Sequence, residues 1–275
     1  MGLGPVMEGL VFGESARWHD GRLWVCDWGT GEVLAMAPGG RPEVIVRAPS
    51  YPLCIDWLPD GRLLVVSGGD GRLLRMEPDG SIVVHAELGG LSDERWNEVA
   101  VGATGTAFVN GGPGIIAAVT PDGPGRRVAD ALAFPNGMVV TPDGSTLIVA
   151  ESHANRLTAF DVAADGALMN RRVWADLAGD NPDGICLDVE GAVWYADVPH
   201  KRCRRVREGG EILQTVEVNR GCFSCALSDG AQPQLFVVAT EWRGFEHMFD
   251  GPRTGTVLAL EAPSPSPGQG TRPAT

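Results

Sequence analysis

Short apolar runs alternate with polar, glycine-containing turns along nearly the whole chain, and the alternation itself repeats. Six segments share one plan: apolar run, turn, second apolar run, loop, third run. They read GESARWHDGRLWVCDWGTGEVLAM, LCIDWLPDGRLLVVSGGDGRLLRM, NEVAVGATGTAFVNGGPGIIAAV, NGMVVTPDGSTLIVAESHANRLTAF, DGICLDVEGAVWYADVPHKRCRRV and CFSCALSDGAQPQLFVVATEWRG, the last continuing into TGTVLAL. The runs are rich in Val, Leu, Ile and Trp and too short for helices, so they predict strands. Asp-Gly and Glu-Gly between them are hairpin signals, because such a turn needs positive φ and glycine supplies it at little cost. Gly21, Gly61, Gly105, Gly144 and Gly191 recur roughly every 40 residues, the length of a four-stranded propeller blade. The pattern predicts an all-β chain, a single six-bladed β-propeller over residues 1–261. Residues 262–275 (APSPSPGQGTRPAT) are rich in Pro, Ser and Gly and are expected to be disordered.

Six equivalent blades imply six equivalent positions around the central channel. Counting back about eight residues from each turn glycine reaches the start of the innermost strand, at Leu53, Asn97, Asn136 and Asp183. In the sixth blade the position falls near Cys222, and in the first Glu14 lies one residue closer to its glycine. Glu14, Asn97, Asn136 and Asp183 are therefore expected to converge at one mouth of the channel. Buried charges are costly unless paired or metal-bound, and no Lys or Arg occupies an equivalent position. A divalent cation resolves the conflict. The donors are all oxygens, which suits Ca²⁺, Mg²⁺ or Mn²⁺, with Zn²⁺ also admissible. The competing reading of Asn136-Gly and Asp183-Gly is that both are tight turns leading into a strand.

Composition narrows the partners. The 275 residues carry a formal charge of −13, which repels phosphate backbones and anionic lipid and argues against nucleic acid or a membrane surface as partner. No apolar run approaches the roughly 20 residues of a membrane span. Met1–Leu10 lacks the basic and long apolar regions of a signal peptide, so a cytoplasmic protein with reduced cysteines is expected. No protein partner is implied. There is no GxSxG, P-loop or GxGxxG element, which argues against a serine route or nucleotide binding.

The segments GESARW (Gly13–Trp18), RWNEVAV (Arg95–Val101), FPNGMVVTPDG (Phe134–Gly144) and NPDGICLDVEGAVWYAD (Asn181–Asp197) resemble the SMP-30/gluconolactonase/luciferin-regenerating-enzyme-like family. The resemblance runs from about Gly13 to Leu260. It implies a six-bladed propeller holding one divalent metal ion through Glu14, Asn136 and Asp183, with Arg95 and Asn97 matching an Arg-x-Asn pair that helps to bind substrate. The chain departs from the family after that pair, where Glu98, Val99 and Gly102 stand. It departs again in blade three, whose short loop at Asn110-Gly-Gly-Pro-Gly-Ile lacks the acidic sugar contact of the sugar lactonases.

Together these readings predict a metal-dependent hydrolase that opens a small lactone. The metal acts as Lewis acid and Asp183 as general base, being both a ligand and placed to touch the attacking water. Alternatives are hydrolysis of another ester or a phosphotriester at the same site, and a non-catalytic propeller that binds a metabolite. His200 and His153 follow the second strand of their blades and are expected at the same mouth, within reach of substrate. Trp28, Trp96 and Trp242 are candidates for a pocket wall or for core. His200-x-x-Cys203 and Cys222-x-x-Cys225 have zinc-like spacing, although a propeller needs no structural zinc.

Overall fold

Asp20 and Gly21 make the first hairpin of the chain in two residues, with φ of 49° and 68°, the left-handed pair whose twist matches that of the flanking strands. The structure, a computed structural model, describes residues 2–121 and 123–267. These form six four-stranded antiparallel sheets, the blades of a β-propeller, with no α-helix and two single 3₁₀ turns at Ser152–Ala154 and Phe245–His247. The innermost strands are Gly13–His19, Leu53–Trp57, Trp96–Val101, Pro135–Val140, Pro182–Leu187 and Gly221–Leu227. Each packs against the next, and the sixth against the first, so the ring is closed. No helix among the described residues is long and apolar enough to cross a membrane.

Closure uses both ends of the chain. Gly4–Leu10 is the outer strand of blade six and pairs antiparallel with Gly255–Glu261. The blade that ends the chain is thus completed by the segment that begins it, which leaves no free edge between first and last blades. The core lies between blades. Trp96, Phe108, Trp194 and Tyr195 are fully buried, each burying roughly 150–250 Å². Trp96 therefore belongs to the core and not to the mouth.

The inner strands of blades one, three, four, five and six each carry a β-bulge just after their second residue, whereas that of blade two runs straight. The count from the turn glycine hence lands on the second residue of the strand in blades three to five (Asn97, Asn136, Asp183) but on the first in blade two (Leu53). The shorter hairpin of blade one explains why Glu14 lies one residue nearer its glycine. Side chains of a neighbouring blade or of the same blade satisfy N–H groups that the bulges free. Ala16 N donates to Ser224 Oγ (2.9 Å), and Glu98 N donates to Asn110 Oδ1 (3.2 Å).

Asn136-Gly137 and Asp183-Gly184 lie inside strands, which removes the reading that they are turns. Their glycines serve close approach. A Cβ on Gly137 would sit 2.5 Å from Asp183 O, and one on Gly184 2.7 Å from Ser224 Cα. Blades four, five and six can meet at the channel only because these positions carry no side chain.

Part of the segment expected to be disordered is ordered. Ala262 and Ser264 are buried, Val189 N donates to Pro265 O (3.0 Å), and Ser266 N donates to Ser228 O (3.0 Å). Polar composition alone misses this, because the partners are backbone groups and side chains of blades five and six. Residues 268–275 lie outside the described residues.

Candidate metal centre

The channel mouth brings together all four polar positions read from the repeat. Asn97 Nδ2 donates to Asn136 Oδ1 (3.2 Å), and Asn136 in turn hydrogen-bonds Asp183. Glu14 interacts electrostatically with Asp183, and both carboxylates are buried. Among the described residues neither is in a salt bridge, and Asp183 Oδ1 is a buried carboxylate oxygen with no hydrogen-bond partner. Burial pushes the Glu14 carboxyl well above its ordinary range, and the charges of Asp183 and Glu98 add to this. Asp183 is raised for the same first reason, then by Glu98 and Cys225, against the hydrogen bond from Asn136.

Two residues that the sequence reading did not assign to the site complete its electrostatics. Glu98 is buried in the channel wall, and Arg17 reaches it from blade one, Nη2 to Oε1 2.8 Å. Arg17 also donates to Ala16 O (3.0 Å) and Val99 O (3.2 Å). Glu14, Asp56 and Glu98 thus share one guanidinium, which Glu98 engages, and Asp183 adds a further carboxylate beside Glu14. Glu14 and Asp183 have no ion-pair partner among the described residues, an acidic excess that a bound cation would offset. An orphaned carboxylate oxygen beside a second carboxylate and two amides fits such an ion, and Glu14, Asn136 and Asp183 are the residues that would hold it. The signal available in the sequence was the position of Glu98 directly after Asn97. For Arg17 there was none, because its partner is 81 residues away.

Arg95 stands exposed at the rim, its Cζ 4.3 Å from the centre of the Tyr51 ring and Nη1 3.4 Å from Tyr51 O. His153 stacks on Phe134, with ring centres 4.4 Å apart. His200 is fixed by Asp197, Nδ1 to Oδ2 2.8 Å. Asp180, Asp197 and His200 offer three ligand atoms within 4.8 Å of one another, but arginines already occupy the acids. Arg202 Nη2 lies 2.6 Å from Asp180 Oδ1, Arg204 Nη1 3.0 Å from Asp180 Oδ2, and Arg202 Nε 3.3 Å from Asp197 Oδ2. This is a charge-balanced network that holds the blade-five loop, and it has no deficit for a metal to fill.

The zinc-like spacing likewise makes no site. Cys203 is buried between blades five and six while His200 is exposed and turned to Asp197. Cys225 approaches Cys186, Sγ to Sγ 3.7 Å, and no two cysteines are bonded. Trp28 is half-buried, donating to Leu53 O (2.6 Å), and Trp242 remains at the mouth.

The fold and its centre define a six-bladed propeller with a two-carboxylate, two-amide cluster in its channel. Residues 12–241 match the SMP-30/gluconolactonase/LRE-like region, and the chain belongs to that family. It is 30% identical over 173 residues to regucalcin of Danio rerio, covering 58% of this chain and 59% of that one. It is 27% identical over 139 residues to L-arabinolactonase of Azospirillum brasilense, covering 50% and 46%. The chain thus spans about half the length of these curated relatives. Among solved structures, luciferin-regenerating enzyme superposes with a TM-score of 0.80 over 96% of this chain and 97% of that one, at 18% identity. At that identity the likeness is one of fold.

Proposed function

We propose that this protein is a divalent-metal-dependent hydrolase that opens a small lactone or a related ester. The observation that carries the proposal is the orphaned Oδ1 of Asp183 beside Glu14, in a channel whose guanidinium is already engaged by Glu98. Membership of a family that includes lactonases supports it, as does similarity to a protein named L-arabinolactonase.

A divalent ion held there supplies Lewis-acid polarisation of the substrate carbonyl. Glu14 and Asn136 act as ligands. Asp183 is both ligand and general base: one carboxylate oxygen would hold the ion and the other would take the proton of the attacking water. Asn97, half-buried beside Asn136, donates to a substrate oxygen. Arg95 meets a substrate carboxylate or hydroxyl from the rim, steadied by the Tyr51 ring.

The test removes metal with chelator, restores Ca²⁺, Mg²⁺, Mn²⁺ and Zn²⁺ singly, and follows acid release from γ- and δ-lactones and simple esters, with Asp183→Ala as control. Metal-restored turnover that disappears in the variant supports the proposal. Tight metal binding without turnover of any lactone or simple ester overturns it, in favour of a metabolite-binding role.

A further inference from the structure

Beyond the polar cluster the mouth changes character. Two positions before the six channel slots stand Phe12, Tyr51, Arg95, Phe134, Asn181 and Arg220, a two-residue step of about 6–7 Å toward solvent. Half are aromatic. Across this layer runs the connection between the second and third strands of blade six, residues 241–254, where the equivalent connection in each other blade has only three or four residues. Its side chains reach over the channel in both directions. Phe245 lies 6.4 Å from Phe134 of blade four, and Phe249 lies 4.9 Å from Tyr51 of blade two. Trp242 joins the two arms, 5.0 Å from Phe245 and 6.1 Å from Phe12.

These rings are not all used as core. Phe245 is 69% exposed, Phe134 42% and Trp242 38%. They form a continuous apolar wall directly outside the proposed reaction centre, and such exposed apolar surface marks binding. The polar members of the layer are mostly committed. Asn181 Nδ2 donates to Ser152 O (3.0 Å), and Arg220 donates to Asn219 Oδ1 (3.0 Å) and to Thr254 O. Phe134 and Phe245 offer no hydrogen-bonding group to hydroxyls laid against them, whereas a planar apolar ring gains stacking area on both.

We infer that Phe134, Trp242 and Phe245 form a subsite for a planar apolar ring, so that the favoured substrate is an aryl-fused or aryl-substituted lactone and not a sugar lactone. The inference rests on the hydrolase reading for its chemistry. For an aryl-fused δ-lactone such as dihydrocoumarin, water adds its oxygen to the acyl carbon. The acyl C–O bond breaks, and the phenolic oxygen leaves with a proton, giving 3-(2-hydroxyphenyl)propanoic acid.

The test uses the full-length, metal-reconstituted protein with dihydrocoumarin, δ-valerolactone and glucono-δ-lactone. Phe245→Ala and Trp242→Ala are expected to lower kcat/KM for dihydrocoumarin about tenfold and to leave δ-valerolactone within about twofold. Equal losses on both, or no loss on dihydrocoumarin, overturns the subsite. So does a wild-type preference for glucono-δ-lactone over dihydrocoumarin. Chroman, which has the same ring frame and no scissile bond, gives a readout independent of turnover. Its calorimetric Kd should weaken about tenfold in Phe245→Ala at unchanged melting temperature. Chroman binding lost in Phe245→Ala without turnover of any lactone sustains the subsite and defeats the hydrolase reading. Lactone turnover with chroman binding indifferent to Phe245 does the reverse.

Discussion

Arg17 of the first blade spans the channel to Glu98 of the third, Nη2 to Oε1 2.8 Å, directly beneath the mouth. Glu98 is buried and Arg17 is partly so, and Glu98 raises the carboxyls of both Glu14 and Asp183. Breaking one side of such a pair strands a charge. Arg17→Met is expected to lower unfolding stability by about 3–5 kcal/mol. The double variant Arg17→Met/Glu98→Gln should recover more than half of that, because no unpaired charge is left. Urea unfolding of the three proteins measures both values.

Asp183→Asn keeps an oxygen for ligation and removes the basic site. It should lower kcat by about 10²- to 10⁴-fold while metal content, measured by plasma emission, stays above half of wild type. Wild-type turnover in this variant would exclude Asp183 as the base.

The raised carboxyls of Glu14 and Asp183 set a pH dependence of opposite sign to that of a salt-bridged acid. Each binds its proton more tightly folded than unfolded. Above the unfolded pKa of about 4 the folded state therefore holds more protons, and stability of the metal-free protein falls as pH rises toward the folded values. Its melting temperature should drop as pH is raised above the unfolded carboxyl range of about 4. Asp183→Asn or Glu14→Gln should stabilise it at pH 8 by about 1–3 kcal/mol, the cost of an unsatisfied buried polar group. Divalent metal should raise the melting temperature more at pH 8 than at pH 5, since binding displaces protons at the lower pH. Scanning fluorimetry with and without chelator reads all three effects.

Gly184→Ala places a methyl 2.7 Å from Ser224 Cα and Oγ and 2.9 Å from Phe223 O. Backbone cannot yield as a flexible side chain does, so stability should fall by about 1–3 kcal/mol. Asp183 moves with its neighbour, and metal affinity should weaken in the same protein. Calorimetric titration of metal at a temperature where the variant is folded separates the two losses.

Arg95 is exposed and contacts Tyr51 at the rim. Arg95→Gln should change stability by no more than about 0.5 kcal/mol. It should raise KM for a carboxylate-bearing ester about tenfold with kcat little altered, the signature of binding lost equally from ground and transition states. Steady-state kinetics on charged and neutral esters would expose the difference.

The repeat made much of this protein legible before any coordinates. Hairpin chemistry is local, so Asp20-Gly21 and the later turn glycines announce their strands, and six copies of one unit announce the propeller. Equivalence between copies then singles out Glu14, Asn97, Asn136 and Asp183, because a position shared by every blade must surround the axis. What sequence could not determine is whatever depends on closing the ring. Arg17 and Glu98 are 81 residues apart, and no pattern along the chain relates them. The bulges that set the second residue of five inner strands into the channel follow from how blades pack, as does the need for glycine at 137 and 184. Gly4–Leu10 completes blade six, and residues 241–254 lay Phe245 beside Phe134 and Phe249 beside Tyr51. Sequence fixes structure over distances where backbone torsion and side-chain alternation act. Contacts between blades are decided only when all six are in place, and the charge balance of the channel and the aromatic wall above it arise there.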